Sequence, residues 1–107
     1  MKNKKFSSIS DKKTIEQIFS TAKIVSDRYY LVRFIASDNP RVGITVSEKN
    51  FKRAVVRNKI RRQIRNFIYS SNNIPQKNIF IIVKNTYDYK NHTEMQKSLN
   101  SLFQKIK

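Results

Sequence analysis

The sequence has no cysteine, a single glycine, a single histidine and only seven acidic residues. Without cysteine there is no disulfide, no thiolate zinc site and no thiol nucleophile, a composition that fits a reducing compartment. One glycine, Gly43, excludes the Gly-rich loops that cradle nucleotide phosphates, so nucleotide hydrolysis is not expected. The acids stand singly, with no HExxH and no Asp-x-Asp, so neither a two-carboxylate mechanism nor a metal cage built by the protein is indicated. The lone histidine, His92, lies just before an expected helix start with no partnering carboxylate nearby in sequence, and we give it no role. Long apolar runs are also missing. The longest, Ile79 to Val83, is far too short to cross a bilayer, and MKNKKFSSISD has no apolar centre to serve as a signal peptide. A soluble, cytoplasmic protein without a membrane partner is expected.

What the chain does have is positive charge. Twenty-three Lys and Arg give a formal net charge of +16, which calls for a polyanionic partner, with nucleic acid the first candidate. At 107 residues the chain is long enough for one modest core and too short for two, so residues 1–107 are expected to form a single domain, with residues 1–8 polar, basic and mobile. Hydrophobic residues make up only 38% of the chain but recur periodically, as in a folded protein and unlike a basic disordered tail.

Periodicity gives the elements. Ser10 and Asp11 are both suitable caps for a short helix with Ile15, Ile18, Phe19 and Ala22 on one side, ending near Lys23. IVSDRYYLVRFIAS then reads as one strand, Tyr30, Val32, Phe34 and Ala36 on one face and Tyr29, Leu31, Arg33 and Ile35 on the other. After a turn at Asn39 and Pro40, RVGITVSEK alternates Val42, Ile44 and Val46 with the small Gly43, Thr45 and Ser47. A helix from the KRAVVRNKIRRQIRN stretch stops at Asn72, Asn73 and Pro75. NIFIIVKN reads as a buried strand, and a last helix capped at Asn91 or Thr93 carries Met95, Leu99, Leu102, Phe103 and Ile106. The expected order is α-β-β-α-β-α, an α/β (α+β) sandwich.

The middle helix is the most informative element. From Lys52 to Asn66 there are seven Lys and Arg and no acid, and from Lys49 to Tyr87 ten and none. Solvated helix faces usually interleave both signs. On a helical wheel Val56, Ile60, Ile64 and Phe67 share one side, with Ile68 at its margin. Arg57, Arg61 and Arg65 form a ridge beside them, and Asn58, Arg62 and Asn66 the next. Five of the seven cations are Arg, whose planar fork grips phosphate at two points where lysine acts as a point charge. A membrane-surface use of such a helix is disfavoured, because the flanking strands need its apolar side for the core. Among the aromatics, Tyr30 and Phe34 belong with the core, whereas Tyr29 and Phe19 are better placed to stack on bases.

These residues carry a resemblance. RVGITVSEKNFKRAVVRNKIRRQIRNF resembles the signature block of the bacterial ribonuclease P protein subunit: the strand Arg41 to Val46, then Lys49 to Ala54, then Arg57, Asn58, Arg61, Arg62 and Arg65. The Ile18-Phe19 helix, the IFIIVK strand and the KSLNSLF helix also fall where that family has theirs. The resemblance implies a fold like the second domain of ribosomal protein S5, with a left-handed β-α-β crossover around the Arg-rich helix. It implies that a catalytic RNA subunit cuts the 5′ leader from precursor tRNA, with no catalytic residue and no metal ligand in the protein, and that Mg²⁺ in the holoenzyme is bound mainly by RNA.

By the same resemblance, Lys52, Arg53, Arg57, Asn58, Lys59, Arg61, Arg62 and Arg65 would face the catalytic RNA. Phe19, Leu31, Arg33, Thr45 and Ser47 would line a leader cleft between the first helix and the sheet. The expected partners are the catalytic RNA and precursor tRNA, with no protein partner evident. The chain departs from the family pattern at Ile15 and Arg33, where aromatics are frequent, and at Glu48, where lysine is, so leader contact is expected to be more electrostatic and less stacking. The alternatives are a ribosomal or other structural RNA-binding protein, which shares the charge but not the signature block, and a self-sufficient basic nuclease, which would need carboxylate or histidine pairs.

Overall fold

The computed structural model describes residues 7–8, 12–13, 16, 20, 23–36, 41–70 and 77–106. Strands β1 (Ser7–Ser8), β2 (Lys23–Ser26), β3 (Tyr30–Ala36), β4 (Arg41–Val46) and β5 (Lys77–Val83) form one sheet in the order β1-β4-β5-β3-β2. An Arg-rich helix (Ala54–Ser70) connects β4 to β5, and a last helix (His92–Ile106) follows β5. β4 and β5 are adjacent and parallel, so the Arg-rich helix is the crossover of a β-α-β unit, in a mixed α/β fold as expected. Lys12, Lys13, Glu16 and Ser20 are helical, in line with the first expected helix. Its apolar residues Ile15, Ile18, Phe19 and Ala22, and the turn at Asn39 and Pro40, lie outside the described residues.

Two expectations are corrected. Of the segment expected to be mobile, Ser7 and Ser8 pair in parallel with Arg41 and Val42. The stretch read as one strand from Ile24 is a hairpin of β2 and β3, and Lys23 opens β2 instead of closing a helix. The reason is Asp27. One carboxylate oxygen accepts the backbone N–H groups of Tyr29 and Tyr30, each at 2.9 Å, a turn that aspartate favours because its side chain can replace a backbone acceptor. Its other oxygen accepts the Ser98 hydroxyl of the last helix, and Lys84 Nζ donates to its carbonyl at 2.6 Å. Alternation alone hides such a turn, since β-branched and aromatic residues flank it on both sides.

Register sets the two faces of the sheet. Val42, Ile79 and Phe34 form one row across β4, β5 and β3; Ile44, Ile81 and Val32 the next; Val46, Val83 and Tyr30 the third. Both long helices close over these rows. Ile60, Ile64 and Ile68 from the first, and Met95, Leu99, Leu102, Phe103 and Ile106 from the second, join the strands in one buried cluster. Ile68, at the edge of the helix's apolar side, is nonetheless fully buried, while Phe67 and Val56 on the other edge are half-buried. Phe67 stacks on Phe103 with ring centroids 6.4 Å apart. Each buried isoleucine contributes roughly 1.5 to 3 kcal/mol, so a charge at Ile64 would unseat the helix.

Candidate nucleic-acid interface

The apolar side of the Arg-rich helix faces the core, so its remaining side must face outward. Lys52, Arg53, Asn58, Lys59, Arg62 and Arg65 are exposed, while Arg57 and Arg61 are half-buried at the edge of the packed side. The first turn of the helix holds no acidic residue, so its positive dipole end adds to the cationic face without a local counter-charge. All eight residues expected to meet the catalytic RNA therefore lie on this helix or on the loop leading into it.

That loop is a built structure. The Ser47 carbonyl accepts N–H groups from Asn50 and Phe51 at 3.2 and 2.9 Å, and the Ser47 hydroxyl accepts the Lys49 N–H at 3.0 Å. Arg57 then fastens the loop to the helix: Nη1 donates to the carbonyls of Phe51 and Lys52, both at 2.9 Å. Nη1 has two hydrogens, and both go to the chain itself, leaving Nη2 and Nε for other acceptors. Arg57 is thus more than a cation beside the apolar stripe, because it sets where Lys52 and Arg53 stand. Further along, Arg61 Nη2 donates to Asn58 Oδ1 at 2.8 Å, and Lys59 Nζ lies 5.4 Å from the centre of the Tyr89 ring, a cation–π distance.

Gln63 anchors the same helix to the loop after β5. Its Nε2 donates to the Tyr89 carbonyl at 2.8 Å and its Oε1 accepts the Tyr87 hydroxyl at 2.9 Å. Tyr87 in turn meets Tyr30 edge to face, 5.8 Å between ring centres. Burial pushes both phenols up, Tyr87 to about 12. The sequence reading missed these anchors. Their one signal was a glutamine next to Ile64 among residues otherwise cationic or apolar.

The second face of the sheet, which neither long helix covers, carries the other expected contacts. Leu31, Ile82 and Thr45 form one row across β3, β5 and β4, and Arg33, Phe80 and Gly43 form the next. Leu31, Arg33 and Thr45 are thus brought together, half-buried. Ser47 lies beyond the end of β4, exposed and engaged in the turn, while Phe19 falls outside the described residues. Phe80 and Ile82 belong to this face and were missed, because in the unbroken apolar run of β5 alternation cannot separate two faces. Gly43 has no positive φ, so the backbone does not require glycine there. Gly43 itself is buried beside Phe80.

Among the described residues no group of three or more His, Asp or Glu side chains could hold a metal ion. No helix among them is long and apolar enough to cross a membrane.

Comparison with known proteins bears on the family and the fold. A family profile described as Ribonuclease P matches residues 3–107. The chain is 42% identical over 69 residues to the Ribonuclease P protein component of Idiomarina loihiensis, covering 64% of this chain and 55% of that protein. The chain thus spans little more than half the length of that relative. It is 31% identical over 99 residues to the Ribonuclease P protein component of Streptococcus agalactiae, covering 90% of each. Among solved structures, the Staphylococcus aureus RNase P protein shares 29% identity at a TM-score of 0.78, covering 94% of each chain.

Proposed function

The chain belongs to the Ribonuclease P protein family, and we propose that it acts as the protein subunit of a ribonuclease P ribonucleoprotein that removes the 5′ leader of precursor tRNA. In this reading the Arg-rich helix and its approach loop bind the catalytic RNA through Lys52, Arg53, Arg57, Asn58, Lys59, Arg61, Arg62 and Arg65. The second sheet face, with Leu31, Arg33 and Thr45, takes the single-stranded leader. Catalysis resides in the RNA, which also holds most of the Mg²⁺. Residues 1–107 act as one domain, in the cytoplasm with the precursor tRNA.

The observation that carries the reading is the segregation on one helix: a core side of Ile60, Ile64 and Ile68 and an outer side of cations with no acid. Exposed like charges crowded on one helix repel by a few tenths of a kcal/mol per pair, and phosphates remove that cost while releasing counterions. The test is reconstitution. Purified protein with precursor tRNA and Mg²⁺ should give no 5′ cleavage, and adding the catalytic RNA should restore it at a Mg²⁺ concentration where that RNA alone is slow. Specific cleavage by the protein alone would overturn the assignment of catalysis to RNA. Copurification with ribosomal RNA in place of a catalytic RNA would instead favour a structural RNA-binding role.

A further inference from the structure

The register brings together residues that neither surface above uses. Lys23 opens β2 opposite Phe34 of β3, and Lys77 opens β5 opposite Ala36 of β3. Cross-strand partners share a face, so Lys23, Phe34, Ala36 and Lys77 lie together at one end of the sheet, the two lysines flanking β3 from either side. With Ile35 they line a hollow of about 180 Å³. Phe34 is only half-buried, and Ala36, beside Lys77, is too small to fill the space.

The electrostatics of this end differ from those of the opposite end. Of the five acids among the described residues, four belong to the end where β4 and β5 finish. Asp27 forms the hairpin turn, Glu48 and Asp88 follow β4 and β5, and Glu94 adjoins Met95, whose carbonyl accepts the Tyr30 hydroxyl. The fifth, Glu16, is in the first helix. The strand ends lining the hollow are Lys23, Ala36 and Lys77, two cations and, among the described residues, no acid; Asp11 and Asp38 lie outside the described residues. A hollow lined by an aromatic side chain and by two lysines suits a ligand that is flat and apolar at one side and anionic at the other. Its volume is below the roughly 300 to 1,000 Å³ of a site that swallows a drug-sized ligand, so it would admit a single ring system and leave the rest outside.

We propose that this hollow takes one unpaired nucleotide of an RNA, its base lying on the Phe34 ring and its phosphate between Lys23 and Lys77. Base–aromatic stacking tolerates any base, and the lysines supply point charges that follow a mobile phosphate. The site lies on the face of the sheet opposite Leu31, Arg33 and Thr45, so the protein would hold a further single-stranded segment, distinct from the proposed leader path.

The test is a titration of the full-length ¹⁵N-labelled protein with adenosine 5′-monophosphate, and separately with inorganic phosphate, followed by amide chemical shifts. Saturable shifts at residues 34–36, 23 and 77 with the nucleotide are expected. Inorganic phosphate should bind there at least about fivefold more weakly, since it lacks the base. Phe34→Leu, which keeps an apolar filling, should weaken nucleotide binding at these amides about fivefold or more and leave phosphate binding unchanged. Should Phe34→Leu fail to fold, Lys23→Gln with Lys77→Gln, both at strand ends, should weaken both ligands. Nucleotide shifts confined to the Arg-rich helix would overturn the proposal, as would equal affinity for nucleotide and phosphate, which would mark an anion site without stacking. No catalytic RNA takes part in the measurement, so its failure would leave the ribonuclease P reading standing.

Discussion

The Arg-rich helix presents its cations on long, mostly exposed side chains, whereas the second face of the sheet sets one half-buried arginine, Arg33, among Leu31, Thr45, Phe80 and Ile82. In the proposed function both surfaces meet RNA, but by different physics. Exposed cations in water interact weakly with any single phosphate and gain mainly by releasing counterions from a polyanion. They confer affinity that falls steeply with salt and reads little sequence or shape. A half-buried floor with one cation gains from excluded water and from fit, so it favours a particular strand geometry at lower cost to salt. The division suits a subunit that stays bound to one large RNA and handles a succession of smaller ones.

The largest effect should come from stripping the helix. Replacing Arg61, Arg62 and Arg65 by Ala is expected to reduce the salt slope of binding to the catalytic RNA by about 0.7 to 0.9 for each phosphate no longer neutralised. Circular dichroism should be unchanged, because none of the three fills the core. An unchanged slope with an intact fold would remove the helix from the RNA interface.

Arg57 tests whether the approach loop needs to be held. Arg57→Ala loses two charge-assisted hydrogen bonds to carbonyls on a partly exposed group, and urea unfolding should show a loss of about 1 to 2 kcal/mol. Arg57→Lys keeps the charge but cannot span both carbonyls from one planar group. It should therefore recover the salt slope and not the stability. Recovery of both would make Arg57 a simple cation.

The sheet face should show a smaller and more selective effect. In the reconstituted holoenzyme, Arg33→Ala is expected to weaken precursor tRNA by up to about tenfold, the worth of one charge-assisted hydrogen bond of about 1.5 kcal/mol, and to leave mature tRNA unaffected. Equal losses for both would place Arg33 outside the leader path.

The smallest effect concerns the support beneath the helix. Tyr30 and Tyr87 have their phenols raised above the ordinary value of 10 by burial, Tyr87 to about 12. The unfolded chain therefore releases their protons first. Their contribution to stability is fully present below about pH 10 and declines above it, the Tyr87 part being lost as pH climbs through about 12 and the Tyr30 part only at still higher pH. Thermal unfolding between pH 8 and 12 should show this decline, and Tyr87→Phe, at lower overall stability, should show a shallower one. A decline already complete by pH 9 would need another group.

Much of the helix side was legible from local spacing. Ile60 and Ile64 one turn apart, with Arg57, Arg61 and Arg65 beside them, fix which side is buried, since residues 3.6 to a turn must line up whatever the rest of the chain does. The last helix was read from the same rule, and all five of its expected core residues are buried. The faces of β3 and β4 followed from alternation in the same way.

What depended on partners far along the chain was not legible. Asp27 breaks an apparently continuous strand because Ser98 and Lys84 are there to fix its turn, and β1 exists only because the start of β4 offers an open edge. Phe80 and Ile82 turn away from the helices only once β5 is registered between β3 and β4. Composition alone pointed to a polyanionic partner, because net charge needs no geometry. The surfaces offered to such a partner were decided by tertiary structure: strand register sets Lys23 and Lys77 on either side of β3, and one guanidinium reaching back to two carbonyls sets the loop, because such contacts depend on distances that the order of residues does not contain.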